Sequence, residues 1–173
     1  MRSIFGGRRR TVFGHGKELG LYRNQLFELT RRIDTRLGEV ADDIDALRRR
    51  DLDPEEAVAR LTVHEDALDG EEEKLEEMLA PEDLHGLHME YEANLERAIR
   101  GIVTVERGCA ITRLPHRPPD DEEPHTYYKR GHANVTHARM RMAEIVDVML
   151  HWEPGQPAEA TVTTRMERVK REG

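Results

Sequence analysis

Nine apolar residues in the first third of the sequence lie three or four positions apart throughout, and this stripe constrains the fold more than any other feature. A spacing of three and four residues places side chains on one face of an α-helix, which must then pack against other helices. The stripe predicts a helix over residues 18–50. Its members are Leu19, Tyr22, Leu26, Leu29, Ile33, Leu37, Val40, Ile44 and Leu47.

Three further helices are predicted from the same period and from their start signals. Pro54 and Pro81 each precede acidic residues, an arrangement typical of helix N-termini. The predicted helices span residues 54–79, 81–107 and 126–152. Their stripes are Val58, Leu61, Leu68, Leu75 and Leu79; then Leu84, Leu87, Tyr91, Leu95, Ala98 and Ile102; and last Tyr128, Val135, Ala138, Met142, Ile145, Met149 and Trp152.

Periodicity is lost between residues 108 and 125, where "LPHRPPDDEEPH" combines prolines with four consecutive acids. Such a segment predicts an irregular, solvated crossover before the last helix. Short links elsewhere favour antiparallel neighbours, so we predict an all-α, antiparallel four-helix bundle over residues 18–152. A three-helix core with a loosely docked fourth helix is the alternative.

Composition agrees with this fold class. The chain is 37% hydrophobic, 36% charged and only 5% aromatic, as expected for long helices with a narrow buried stripe. One cysteine allows no intrachain disulfide, and no apolar run approaches the ~20 residues that span a bilayer. The start lacks the apolar core of a secretory signal, so a cytoplasmic location is expected.

The net charge of −8 is distributed very unevenly. Residues 18–50 are neutral, whereas residues 51–96 carry seventeen acids against Arg60 and Lys74. The second and third helices therefore form an acidic hairpin, interpreted either as a solvated face or as a surface for a basic partner or divalent cations. Nucleic acid is not expected on the bundle, because phosphates would meet carboxylates.

The two ends of the chain are predicted to lie outside the bundle. Residues 1–17 form a basic, flexible arm that interleaves apolar residues with Arg2, Arg8, Arg9 and Arg10. The arm is interpreted either as a disordered or self-docked segment, or as a segment that contacts anionic lipid or RNA weakly, which would make the protein a peripheral adaptor. Residues 153–173 form a tail in which Val162, Met166 and Val169 allow one more short helix.

One polar cluster is predicted near the turn between the second and third helices. At about 100° per residue, His88 lies at the inner edge of its stripe, Glu92 on the flank and His85 towards solvent. A turn near Ala80 places Glu72 opposite His88. A buried His88–Glu72 hydrogen bond explains these residues without a ligand; the alternative is a transition metal ion held by Glu72, His88, Glu92 and His85, with Tyr91 nearby.

Other sites are weaker candidates. The Glu-x-x-His pairs of di-metal bundles are not matched on the other helices, and no nucleophile motif is present. The loop histidines His116, His125 and His132 offer a surface metal site. The sequence therefore favours a non-enzymatic protein without a cofactor that binds a protein partner or itself. Met142, Met149 and Trp152 are interpreted either as a docking groove or as plain core.

Overall fold

In this computed structural model, residues 12–116, 118–156 and 158 are described. They form four α-helices that pack against each other: α1 (Val12–Arg49), α2 (Pro54–Glu76), α3 (His85–Thr112) and α4 (Pro124–His151). A 3-10 turn, Glu82–Leu84, precedes α3, and this part of the chain contains no strand. The all-α class is confirmed. None of the helices among the described residues is long and apolar enough to cross a membrane.

The helix ends differ from the predicted ones at several places. The first helix begins at Val12 rather than at residue 18, and α3 continues to Thr112 because its last turn also carries buried residues, including Cys109. In the opposite direction, α2 ends at Glu76. Leu79, predicted as part of the α2 stripe, therefore lies beyond the helix and is 92% exposed.

The hydrophobic core is built from the predicted stripes. All the stripe residues of α1, α3 and α4 are buried, and α2 contributes Leu61, Leu68 and Leu75. Two further α2 residues, Ala57 and His64, are buried on the same face. The start of α2 follows the expected signals, since the Asp53 side chain accepts a hydrogen bond from the Glu55 amide at 2.8 Å.

A glycine seam joins α3 to α4, formed by Gly101, Gly108 and Gly131. A Cβ atom on Gly131 would clash with the Val105 side chain and lie 2.6 Å from the Gly101 carbonyl oxygen. A Cβ atom on Gly108 would lie 2.8 Å from Tyr127 Cβ. The two helices therefore approach so closely that only hydrogen fits at Gly108 and Gly131, and Gly101 leaves little space for a side chain.

A charged seam joins α1 to α2. Arg32 forms a bidentate pair with Glu71, with N–O distances of 2.9–3.1 Å, and Arg60 Nη1 lies 3.0 Å from Asp43 Oδ1. Behind these pairs, His64 Nε2 lies 3.3 Å from Asp43 Oδ2. Aliphatic side chains fill the interior of this contact, and ion pairs border it.

The acidic run in the segment between α3 and α4 is tied to the helices rather than wholly solvated as predicted. Asp121 accepts hydrogen bonds from Arg107 at 2.8 Å and from the Tyr127 hydroxyl at 3.2 Å. Glu122 pairs with Arg130 at 2.7 Å, and both arginines lie within 6.0 Å of the Tyr127 ring centre. A buried tyrosine between two arginines thus anchors the segment.

Candidate functional site

His88 lies where groups from all four helices meet. It projects from α3 and is 3% exposed. Its Nδ1 atom is 2.9 Å from the Tyr22 hydroxyl of α1, and its Nε2 atom is 3.2 Å from the Leu75 carbonyl oxygen of α2. Glu92, one turn further along α3, places Oε1 3.1 Å from the same Nε2. On α4, Met149 Sδ lies 3.5 Å from the Tyr22 hydroxyl.

The partners of His88 determine the hydrogen-bond directions. A carbonyl oxygen and a carboxylate only accept, so Nε2 carries a hydrogen and donates to Leu75 and Glu92. In the neutral imidazole, the Tyr22 hydroxyl then donates to Nδ1. In the imidazolium, Nδ1 donates to that hydroxyl, whose hydrogen is free to turn to Met149 Sδ. The cluster therefore satisfies every polar atom of His88 in both protonation states.

The Tyr22 hydroxyl stays protonated throughout the physiological range. Burial raises the pKa of Tyr22 far above its ordinary value of 10.0, and the negative charge of Glu92 raises it further. A tyrosinate is therefore not formed at neutral pH, and the hydroxyl acts in this cluster as a neutral hydrogen-bond donor and acceptor. Tyr22 was predicted only as part of the apolar stripe.

Glu72 does not take the place that the sequence predicts for it. Among the described residues, the α2 group at His88 is the Leu75 carbonyl, not the Glu72 carboxylate. The predicted register assumed a tight turn at Ala80, whereas residues 77–84 form a longer link with a 3-10 turn. The level of α2 opposite His88 therefore lies three residues later than predicted.

Glu72 and His85 both lie away from the contact between His88 and Glu92. Partial burial raises the pKa of Glu72, and the neighbouring carboxylates of Asp69, Glu76, Glu96 and Glu92 add to this effect. His85 is the first residue of α3 and is exposed to solvent. Of Glu72, His88, Glu92 and His85, the structure thus brings only His88 and Glu92 into contact.

Metal-ligating side chains do not converge elsewhere in the described part of the chain. No group of three His, Cys, Asp or Glu side chains there has an arrangement that could hold a metal ion. Of the three histidines predicted as loop residues, only His116 lies outside a helix, and it is exposed. His125 and His132 belong to α4, where His125 stands edge-on to the Tyr128 ring and His132 pairs with Asp45 at 3.4 Å. Transition metal binding stays a prediction for metal analysis of the purified protein.

A groove of about 320 Å³ lies between α1 and α4. Phe27, which is 52% exposed, forms part of its wall, and Tyr91 and Met142 are buried residues that also line it. Arg139 closes one side through a bidentate pair with Asp34, at 2.6 and 3.1 Å. The complete lining is Phe27, Thr30, Arg31, Asp34, Leu37, Tyr91, Arg139, Met142, Ala143, Val146, Asp147 and Leu150.

The predicted methionine groove is therefore corrected. Met149 and Trp152 are buried in the core, and only Met142 touches the groove between α1 and α4. Sequence reasoning missed Phe27 because it lies next to the main stripe of α1. The sequence of α4 does indicate this groove, because Val146 and Leu150 form a second apolar run beside the main stripe.

Two predicted regions lie outside the described residues. They are residues 1–11 of the basic arm, with Arg2, Arg8, Arg9 and Arg10, and residues 159–173 of the tail, with Val162, Met166 and Val169. Residues 12–17, predicted as part of the flexible arm, belong instead to α1. No protein-family model matches the chain, and comparisons with curated proteins and with solved structures find no match. The function is therefore argued from the geometry of the chain itself.

Proposed function

We propose that this chain is an antiparallel four-helix bundle, with residues 113–123 as its crossover, that acts non-enzymatically through protein contacts. The contact proposed is self-association through the groove between α1 and α4. The observation that carries the proposal is the half-exposed Phe27 beside an apolar groove whose rim has balanced charge. A cytoplasmic location remains part of this proposal.

The order of side-chain contacts supports the antiparallel arrangement. Along each pair of neighbouring helices, residue numbers rise on one helix as they fall on the other. For α1 and α2 the pairs are Arg32–Glu71, Arg36–His64 and Asp43–Arg60. For α3 and α4 they are Glu90–Arg141 and Arg97–Asn134, and for α1 and α4 they are Arg23–Met149, Asp34–Arg139 and Asp45–His132.

The closed geometry of the His88 cluster supports a non-enzymatic role. His88 is almost fully buried, and both of its ring nitrogens already have partners within 3.2 Å, from Tyr22, Leu75 and Glu92. A general acid or base needs an atom within hydrogen-bond reach of its substrate. The cluster instead joins α1, α2 and α3 by hydrogen bonds at one level of the bundle, which supports a role in stabilising the packing of the helices.

Charge favours a second copy as the occupant of the groove. Its rim carries Arg31 and Arg139 together with Asp34 and Asp147, so the charges of the patch balance. A two-fold interface brings the same patch of both copies together and therefore needs a self-complementary surface. The acidic surface of residues 51–96, with a net charge of −15, would repel its own copy.

Phe27→Asp tests this proposal. Sedimentation velocity over a concentration series should show self-association of the unaltered chain, and Phe27→Asp should weaken it by at least about tenfold, or about 1.4 kcal/mol. Val63→Asp is the matched control, because Val63 is 62% exposed on α2, away from the groove. It should leave self-association unchanged.

Thermal melts of both variants separate loss of contact from loss of fold. Both replaced side chains are more than half exposed, so each change should alter stability by no more than about 0.5 kcal/mol. A monomer at every concentration of the unaltered chain would overturn self-association. Equal weakening by Phe27→Asp and Val63→Asp would exclude the groove as the contact surface.

A further inference from the structure

A second, larger groove of about 780 Å³ lies at the end of the bundle where α1 begins. Parts of α1, the link between α2 and α3, and the segment that follows α4 form its walls. Leu79 is 92% exposed there and Leu21 is 60% exposed, and the buried Tyr22 and Trp152 also line it. This end groove therefore leaves apolar surface uncovered at the point where the described chain begins.

The rim of the end groove is acidic. Four carboxylates line it, from Glu18, Glu77, Glu82 and Asp83, against the single positive charge of Lys74. Apolar surface bordered by carboxylates suits an occupant that is both apolar and positively charged. The occupant of the end groove should therefore carry both apolar side chains and positive charges.

We propose that residues 1–11 of the same chain occupy the end groove. This segment has Ile4 and Phe5 to cover the exposed leucines, and Arg2, Arg8, Arg9 and Arg10 to face the acidic rim, with no acid of its own. Gly6 and Gly7 separate the apolar pair from the arginine run and permit a sharp turn between them.

The length of the segment is sufficient. Between Val12, where α1 begins, and Glu18 on the groove rim, the helix rises about 9 Å. Eleven residues span up to about 36 Å when extended. The segment can therefore turn back over the start of α1 and still cross the groove.

Two other occupants fit less well. The C-terminal residues 159–173 carry four basic residues but also three acids, for a net charge of +1, against +4 for residues 1–11. A second copy placed at the same end would bring two acidic rims together. The N-terminal segment is the occupant with both the greater positive charge and the adjacent apolar pair.

A spin label on the full-length chain tests the proposal. Ser3→Cys in a Cys109→Ala background provides one labelling site, and amide signals report which residues the label approaches. The label should broaden the amide signals of Leu21, Leu79 and Glu82 and leave those of Leu52 and Ala57, at the opposite end of the bundle, sharp. An unchanged amide spectrum of the unlabelled Cys109→Ala chain establishes that the background fold is intact.

The charge requirement is tested in the same chain. Arg8→Ser, Arg9→Ser and Arg10→Ser together should remove most of the broadening, as should Glu82→Gln with Asp83→Asn. Raising the salt concentration from about 0.1 M to 1 M shortens the screening length from about 10 Å to 3 Å and should act in the same direction. The apolar contacts should retain a residual effect at Leu79.

Three results would each overturn the proposal. One is uniform or absent broadening from the label at Ser3. Another is broadening of the end groove by a label at Thr163→Cys but not at Ser3, which would assign the groove to the C-terminal segment. The last is broadening of the end-groove signals of Leu21, Leu79 and Glu82 in an isotope-labelled chain by a separate spin-labelled chain, which would assign the end groove to a second copy. The Phe27→Asp experiment is independent of all three.

Discussion

The glycine seam between α3 and α4 and the charged seam between α1 and α2 join helices in opposite ways. In the glycine seam, missing side chains let Gly131 approach the Gly101 carbonyl so closely that no Cβ atom fits. In the charged seam, long side chains from Arg32 and Arg60 reach across to Glu71 and Asp43 at the border of an aliphatic interior. Both pairs of helices have the same spacing of apolar residues. The contact between α3 and α4 nevertheless depends on the close approach of two backbones, whereas the contact between α1 and α2 adds ion pairs at its border.

The two seams should respond differently to changes in sequence. A close-packed contact tolerates no added volume, because the surrounding structure relaxes only partially. An exposed ion pair in high dielectric contributes little, because solvent and salt screen it. Changes in the glycine seam should therefore have large effects on stability, and changes in the charged seam should have small, salt-dependent ones.

Gly131→Ala should have the largest effect. The new methyl group would meet the Val105 side chain and the Gly101 carbonyl oxygen, and we expect a loss of about 2 kcal/mol or more in the free energy of unfolding. Gly70→Ala is the matched control, since nothing lies within 4 Å of its added Cβ atom. Alanine is the better helix former, so this control should gain about 0.5–1 kcal/mol. Urea denaturation measures both, and equal stability of the two variants would contradict the seam geometry.

Tyr22→Phe should have an intermediate effect. It removes the hydroxyl that bonds His88 Nδ1 and leaves a buried ring nitrogen without a partner, at a cost of about 1–3 kcal/mol. Because the cluster is buried, 1 M salt should not reduce this cost. Tyr127→Phe serves as the control, since its hydroxyl bonds to Asp121 near the surface, and it should cost less. A Tyr22→Phe variant as stable as the unaltered chain would show that this hydrogen bond does not stabilise the fold.

The Arg32–Glu71 pair should have the smallest effect. A double-mutant cycle with Arg32→Gln and Glu71→Gln should give a coupling energy below about 1 kcal/mol that shrinks in 1 M salt. The helix-surface pair Arg31–Glu28, at 3.6 Å, is the reference and should couple more weakly. A coupling that is large and insensitive to salt would place the charged seam in the same class as the glycine seam.

The pH dependence of this coupling has a definite sign. Burial alone would raise the pKa of Glu71, but hydrogen bonds from Arg32 and Lys74 outweigh it and lower the pKa below 4.5. A carboxylate with a lowered pKa stabilises the folded state above its ordinary pKa and loses that contribution as pH falls through the lowered value. The coupling should therefore be constant at neutral pH and disappear in acid.

Local sequence patterns predicted the helices and their buried faces, but they did not predict the arrangement of the His88 cluster. The stripes of α1, α3 and α4 are buried as predicted, because period and burial are the same property of a packed helix. The predicted contact between His88 and Glu72 is not formed, and His88 meets the Leu75 carbonyl oxygen instead. The register of α2 against α3 depends on the link between them, which apolar periodicity does not encode. The sequence placed His88 and Glu92 near each other, but offered no sign that Tyr22 would complete the cluster.

Four helices, their buried faces and the separation of charge between residues 18–50 and 51–96 follow from local sequence, because helical period and charge are properties of short stretches of chain. Tertiary structure decided which helices approach closely enough to require Gly131, which carbonyl meets His88, and where Phe27 borders a groove. Those features arise between segments far apart in the chain, where a shift of three residues replaces one partner with another.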